Sequence, residues 1–247
     1  MKGILLCGGE GTRLLPLTRV TNKHLLRIGN YPMVEYPLRK MIQAGIDNIH
    51  IVTGGENYPP IVKYLGSGKN WGVRITYSIQ DRAGGIAEAL GLARAFVRDQ
   101  KMLVVLGDQI FEDDLKPYVK RFSKGNSKAG LFMKDSTTPE RFGVFEFDER
   151  GVVVDILEKP EQPPSNYVVT GIYMYDPFVF EIIDTLKPSD RGELEISDVN
   201  RFYIKRREAS IHQLEGEWTD AGTFETLMGA EDLARKIILN DDEKNKI

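Results

Sequence analysis

Apolar positions along the chain alternate between short unbroken runs and stretches at helical spacing. Residues 2–7, Lys-Gly-Ile-Leu-Leu-Cys, read as a buried strand, and Gly8-Gly-Glu-Gly-Thr12 ends it in a turn. The spacing of Met33, Tyr36, Leu38, Met41 and Ile42 predicts a helix over 32–44, stopped by Gly45. Strands follow at 49–52 and 73–79, then an alanine-rich helix at 86–97 and a buried strand at 102–106. This alternation predicts an α/β fold with a mostly parallel sheet covered by helices on both faces.

Beyond about Asp114 the texture changes. Residues 130–133, 143–147 and 152–156 read as shorter strands between polar turns, so the sheet is expected to become mixed. Residues 159–164 form a Pro-rich loop, 167–175 a strand and 177–186 a helix. A last helix over 222–238 carries Leu227, Met228, Leu233, Ile237 and Ile238, and the polar tail 241–247 is expected to fray. One domain over 1–240 is expected, its parts meeting near residue 114, with no convincing internal repeat.

Composition narrows the partners. A net charge of −3 offers no bulk attraction to nucleic acid or anionic lipid, so phosphate binding would need a local arrangement on a small ligand. Cys7 is the one cysteine, which excludes an internal disulfide, and His24, His50 and His212 show no zinc spacing. No signal-peptide pattern and no run near 20 apolar residues is present, so a cytoplasmic protein is expected.

The candidate chemistry starts where the first strand ends. Gly8, Gly9 and Gly11 let backbone N–H groups approach a phosphate, Thr12 adds a hydroxyl, Arg13 a guanidinium fork, and Lys23 follows ten residues later. Read alone, this is either a phosphate cradle or a surface loop with two incidental cations. No Gly-Lys-Ser/Thr follows the glycines, so it is not a P-loop. It also fits the dinucleotide fingerprint poorly, because Thr12 stands near the place of the third glycine and no acidic residue ends the strand at Val52. Asp108 closes an apolar run, at the strand end where open α/β sheets place ligands.

The order Gly8-Gly-Glu-Gly-Thr-Arg-Leu-Leu-Pro16, Lys23, Pro32-Met33, Gln80 to Leu90, Leu106-Gly-Asp108 and Pro139 to Val144 resembles the sugar nucleotidyltransferases. It continues through Glu158-Lys-Pro160, Ser165 to Gly171, Arg191 to Ile196 and Trp218 to Thr223, covering nearly the whole chain, and is most similar to the short-form glucose-1-phosphate thymidylyltransferases. The resemblance implies a Rossmann-like three-layer fold of the nucleotide-diphospho-sugar transferase type, with a nucleotide-binding part over 1–114 and a sugar-binding part over 115–225. It implies transfer of a nucleotidyl group from dTTP to glucose 1-phosphate with release of pyrophosphate, and Mg2+ held by Asp108 and Asp220. By the same resemblance Arg13, Lys23 and Asp108 are catalytic, and Gly8, Gly9, Gly11, Thr12, Arg13, Lys23, Gln80 and Gly85 hold the nucleotide. Gly143, Glu158, Lys159, Val169 and Thr170 face the sugar phosphate, and a homotetramer or homodimer is implied.

Four positions depart from the family's usual pattern: Cys7, His24, Arg27 and Gln109, the last three expected near the substrate. They put base, ribose and sugar preference in doubt, and uridylyl transfer to glucose 1-phosphate is the near alternative. A catalytically silent nucleotide-sugar sensor and a nicotinamide-dependent oxidoreductase are the readings from other classes.

Overall fold

Strand β1 (Lys2–Cys7) forms because five consecutive apolar or small side chains can be buried on both faces at once, and it takes the middle of the sheet. In the computed structural model, which describes residues 1–9, 11–54 and 58–244, β1 pairs in parallel with β4 (Asn48–Gly54) and β6 (Met102–Leu106). Strand β5 (Arg74–Gln80) extends this parallel half beside β4. Helix α1 (Glu35–Gln43) and α2 (Tyr58–Leu65) connect these strands, and two short helices, α3 (Ile86–Gly91) and α4 (Arg94–Val97), replace the single helix expected over 86–97. The break falls at the Leu92–Ala93 turn.

The other half runs mainly antiparallel. Strand β11 (Tyr167–Tyr175) pairs antiparallel with β6, with β8 (Ala129–Asp135) and with β9 (Gly143–Phe147), and β9 pairs antiparallel with β10 (Val153–Glu158). Strand β12 (Ala209–Gln213) adds in parallel to β8, completing a nine-stranded sheet. The expected mixed, mostly parallel sheet is therefore parallel in its first half and mixed in its second. Small ladders join β2 (Arg27–Ile28) to β3 (Tyr31–Pro32) and β7 (Gln109–Phe111) to β13 (Trp218–Asp220).

Two cores lie on opposite faces of the sheet. One gathers Ile4, Leu6, Val104 and Tyr173 with α3, α6 (Val179–Thr185) and α7 (Ile196–Lys205), and the other gathers Leu5, Val105 and Ile172 with α1 and α5 (Lys116–Lys124). This is the three-layer arrangement expected. Helix α8 (Phe224–Lys244) packs Ala230, Leu233, Ala234 and Ile237 on Ile28, Met33 and Ile110. Met228, counted in its apolar stripe from sequence, is 75% exposed. The backbone of the expected tail is helical through Lys244, and residues 245–247, like Glu10 of the opening loop, lie outside the described residues.

Candidate active site

The C-terminal ends of β1, β5 and β6 open into a cleft of about 700 Å³ whose far wall is built by β9, β10, β11 and the N-terminus of α7. Gly8, Gly9, Arg13, Lys23, Gln80, Gly85, Asp108, Gly143, Glu158, Lys159, Val169 and Asp220 line it together. Gly8, Gln80 and Asp108 meet because the parallel strands β1, β5 and β6 end on one edge of the sheet, and the β7–β13 ladder brings Asp220, 212 positions after Gly8, to the same place.

The opening loop owes its path to glycine. Gly9 and Gly11 have φ of +93° and +67°, and a Cβ on Gly11 would stand 2.8 Å from Thr18 Cγ2. Thr18 donates its hydroxyl to the Gly11 carbonyl at 2.9 Å, so the turn closes on itself. Leu14, fully buried, anchors the 3₁₀ turn Thr12–Leu14 and leaves its neighbour Arg13 at the cleft. A further 3₁₀ turn, Lys23–Leu25, is capped by Asn22, whose side chain accepts from the His24 N–H. Gly11 and Thr12 themselves do not line the cleft: Gly11 shapes the turn and Thr12 is exposed.

The side of the cleft next to the opening loop is dense in charge. Lys23 Nζ donates to Asp108 Oδ2 at 2.8 Å, with the side chains only 14% and 13% exposed. Arg141 lies 3.7 Å from Asp220 Oδ2. A Cβ built on Gly222 would stand 2.8 Å from Asp220 Oδ2, 3.4 Å from Arg13 Nη2 and 3.9 Å from Asp108 Oδ2, so both carboxylates and Arg13 face one point that glycine keeps open. Burial alone would raise the Asp108 carboxyl, but the Lys23 charge, with hydrogen bonds from Lys23 and the Gln109 amide, holds it below the ordinary value. Asp220 moves the other way, raised by burial and then by the Asp108 charge, against partial relief from Arg141, Arg13 and Lys23. His24 is pushed down to about 3 by burial and by Lys23, so its ring is neutral.

The Gln80 amide nitrogen is held by the Gly85 carbonyl at 3.2 Å and Glu88 Oε1 at 3.1 Å. Gly85, at φ +99°, passes so close to Leu194 that a Cβ would stand 2.4 Å from its carbonyl oxygen. The opposite wall is a web around Glu158, which accepts from the Ser197 hydroxyl through Oε2 and from Arg191 at 3.3 Å through Oε1. Arg191 also donates to Glu195 at 2.8 Å, and Glu195 is held by Ser189 at 2.6 Å. Lys159, a non-glycine residue at φ +43°, has its N–H donated to the Phe142 carbonyl at 2.9 Å. Such strain at a cleft residue is typical of functional sites.

Thr170 does not face the cleft. Along β11 alternate residues point to opposite faces, so Val169, Gly171 and Tyr173 line the cleft while Thr170, fully buried, donates its hydroxyl to the Phe132 carbonyl. Arg27, expected near the substrate, is exposed and donates to the Gly29 carbonyl away from the cleft. Cys7 is fully buried and burial raises its thiol, so it packs as a small apolar residue. Arg141, Arg191, Glu195, Ser197 and Tyr173 line the cleft without having been assigned roles from sequence. Arg141 and Arg191 sit inside the motif blocks, but a polar residue after a turn carries no periodic signal.

Residues 2–236 match the family model described as nucleotidyl transferase. The chain belongs to the nucleotidyl transferase family. The likeness to sugar nucleotidyltransferases read from the motifs is thereby borne out. The chain is 41% identical over 231 residues to a glucose-1-phosphate thymidylyltransferase of Neisseria meningitidis, covering 92% of this chain and 80% of that one. It is 38% identical over 247 residues to a low-salt glycan biosynthesis nucleotidyltransferase of Haloferax volcanii, covering 100% of this chain and 68% of that one. A crystal structure described as a glucose-1-phosphate thymidylyltransferase from Bacillus anthracis in complex with a sucrose superposes with a TM-score of 0.91 at 50% identity, covering 95% of each chain. A UDP-glucose pyrophosphorylase structure superposes at 0.84 with 26% identity, covering 96% of this chain and 98% of that one. Among the described residues no helix is long and apolar enough to cross a membrane.

Proposed function

We propose that this nucleotidyltransferase moves a thymidylyl group from dTTP to glucose 1-phosphate, giving dTDP-glucose and pyrophosphate. The observation that carries this reading is one cleft in which Arg13, Lys23, Arg141, Lys159 and Arg191 are interleaved with Asp108, Asp220, Glu158, Glu193 and Glu195. Two phosphate-bearing substrates can be held there end to end. A phosphate oxygen of the sugar phosphate forms a bond to the α-phosphorus as the bond from that phosphorus to the bridging oxygen breaks, and pyrophosphate leaves. The nucleophile is an anion already, so no side chain need take a proton from it. Positioning and charge stabilisation supply the catalysis.

Arg13 and Lys23 face the triphosphate, and Lys159 with Arg191 faces the sugar phosphate. Glu158 accepts from sugar hydroxyls, and Gln80 with the Gly85 backbone meets the imide edge that thymine and uracil share. Asp108 and Asp220 fit a magnesium ion: two hard oxygen donors face one point, and a cation there would offset the burial and the Asp108 charge that together raise the Asp220 carboxyl. When bound, Mg2+ supplies charge neutralisation at the triphosphate. Gly8 and Gly9 keep backbone close to the phosphates, Gly143 leaves room beside Glu158, and Val169 forms part of the sugar floor. The reaction takes place in the cytoplasm.

The test is pyrophosphate release by purified protein given glucose 1-phosphate, Mg2+ and dTTP, UTP, ATP, CTP or GTP in turn. The highest kcat/KM is expected with dTTP. A UTP optimum would replace thymidylyl by uridylyl transfer, and no release with any triphosphate would leave a binding protein in place of an enzyme.

A further inference from the structure

Gln109 is 3% exposed, and its amide is held on three sides at the boundary between the two walls of the cleft. Its Nε2 donates to Asp108 Oδ1 at 3.0 Å, while its Oε1 accepts from the Gly171 N–H at 3.0 Å and from the Trp218 indole N–H at 2.8 Å. The fit is close, since a Cβ on Gly171 would stand 2.6 Å from Gln109 Cδ. The Gln109 backbone is also the ladder partner of Asp220 in the β7–β13 pair. One residue therefore touches the first acidic side chain through its amide and registers the second through its main chain.

Beyond Gln109 the contacts continue into the sugar wall. Trp218 packs edge-on against Phe142 with centroids 5.6 Å apart, and the Phe142 carbonyl accepts the Lys159 N–H. A planar amide cannot shift its nitrogen without shifting its oxygen, and polarising one end strengthens or weakens the bonds at the other. The geometry points to Gln109 as a positioning residue that couples cation binding at Asp108 to the seating of Trp218 in the sugar wall. A cation at Asp108 weakens that carboxylate as an acceptor for Gln109 Nε2, and the amide passes the change to the indole N–H. By reciprocity, the hold on Trp218 changes the affinity for the cation by the same factor. This inference rests on Asp108 as a metal carboxylate, and the experiment separates the two.

The protein has two tryptophans, so Trp71→Phe leaves Trp218 as the sole tryptophan, excited selectively at wavelengths that tyrosine does not absorb. In that background Trp218 emission is followed as Mg2+ is added with inorganic pyrophosphate, and Mn2+ binding is measured separately by electron paramagnetic resonance. Trp218 emission is expected to change with saturation by Mg2+. Gln109→Met, of similar volume, is expected to abolish that change and to weaken Mn2+ binding by roughly 10-fold, the size usual for a residue that orients a metal ligand. Trp218→Phe keeps the Gln109–Asp108 bond and gives a second reading should Gln109→Met not fold: because the cation weakens the hold on Trp218, loss of the indole N–H is expected to raise Mn2+ affinity by about fivefold through the same linkage. Unmoved emission while Mn2+ binds, a change that persists in Gln109→Met, or Trp218→Phe with the parent's Mn2+ affinity would overturn the coupling and leave the metal assignment standing. Asp108→Asn binding Mn2+ as tightly as the parent would overturn the metal assignment and the coupling with it.

Discussion

The two walls of the cleft hold their charges differently. On the phosphate side the Lys23–Asp108 pair is buried, with one direct contact and little solvent. On the sugar side Arg191 and Lys159 are 40% and 42% exposed, and Arg191 is shared among Glu158, Glu193 and Glu195. A buried pair cannot lose one member without leaving an uncompensated charge, whereas a solvated web redistributes its bonds at small cost. Under the proposed assignment the phosphate wall therefore ties chemistry to stability, and the sugar wall tunes affinity.

The sharpest break in that comparison comes from Lys23→Met. It removes a cation at the transferring group and strands Asp108, so kcat is expected to fall about 10²- to 10³-fold and unfolding free energy by about 3 kcal/mol. Steady-state kinetics and denaturant unfolding read the two effects; a loss of activity with unchanged stability would deny the buried pair its structural share. On the other wall, Arg191→Met is expected to raise KM for glucose 1-phosphate by roughly 10- to 100-fold, with KM for the triphosphate and the unfolding midpoint little changed. Equal effects on both substrates would erase the division between the walls.

Acidity offers a further test. Asp220 has a folded pKa raised above its ordinary value of 3.8, so it takes up a proton on acidification before an ordinary carboxylate does. Metal-dependent activity is then expected to fall with decreasing pH from a point above 3.8. Asp108 is depressed, so the stability it contributes is present above its unfolded value and is lost only as pH falls through its lower folded one. Asp108→Asn removes the neighbouring charge and should lower the Asp220 pKa, measurable by carboxyl carbon NMR. An unchanged Asp220 titration would mean that burial alone raises it. The smallest effect belongs to Lys159, whose left-handed backbone favours glycine. Lys159→Gly is expected to be about 1 kcal/mol more stable than Lys159→Ala in thermal unfolding, although both lose the amine.

The same contrast governs what the sequence discloses. Strands β1, β4 and β6 are buried on both faces, so their apolar runs are continuous and readable, and the glycines, Arg13 and Lys23 follow β1 within a few turns. The helices α5 and α7 are not readable in this way. In α5 Val119 and Phe122 are the buried apolar residues among nine, and in α7 buried Ser197 and Asn200 interrupt the stripe formed by Ile196, Val199, Tyr203 and Ile204. The sugar wall draws on five separate segments, 141–143, 158–159, 169–173, 191–197 and 218, and nothing in the spacing of Arg141, Arg191, Ser197 and Trp218 announces that they converge. Thr170 shows the limit of a motif: Val-Thr-Gly carries over as a block, but strand alternation sends its middle residue to the opposite face.

The central claim is that the sugar phosphate itself attacks the α-phosphorus inside this cleft. Glucose 1-phosphate labelled with ¹⁸O in its phosphate, incubated with unlabelled dTTP and Mg2+, tests it by mass spectrometry of both products. All of the label is expected in dTDP-glucose and none in pyrophosphate, with no pyrophosphate formed when the sugar phosphate is left out. Label in pyrophosphate, or pyrophosphate released without the sugar phosphate, would contradict it.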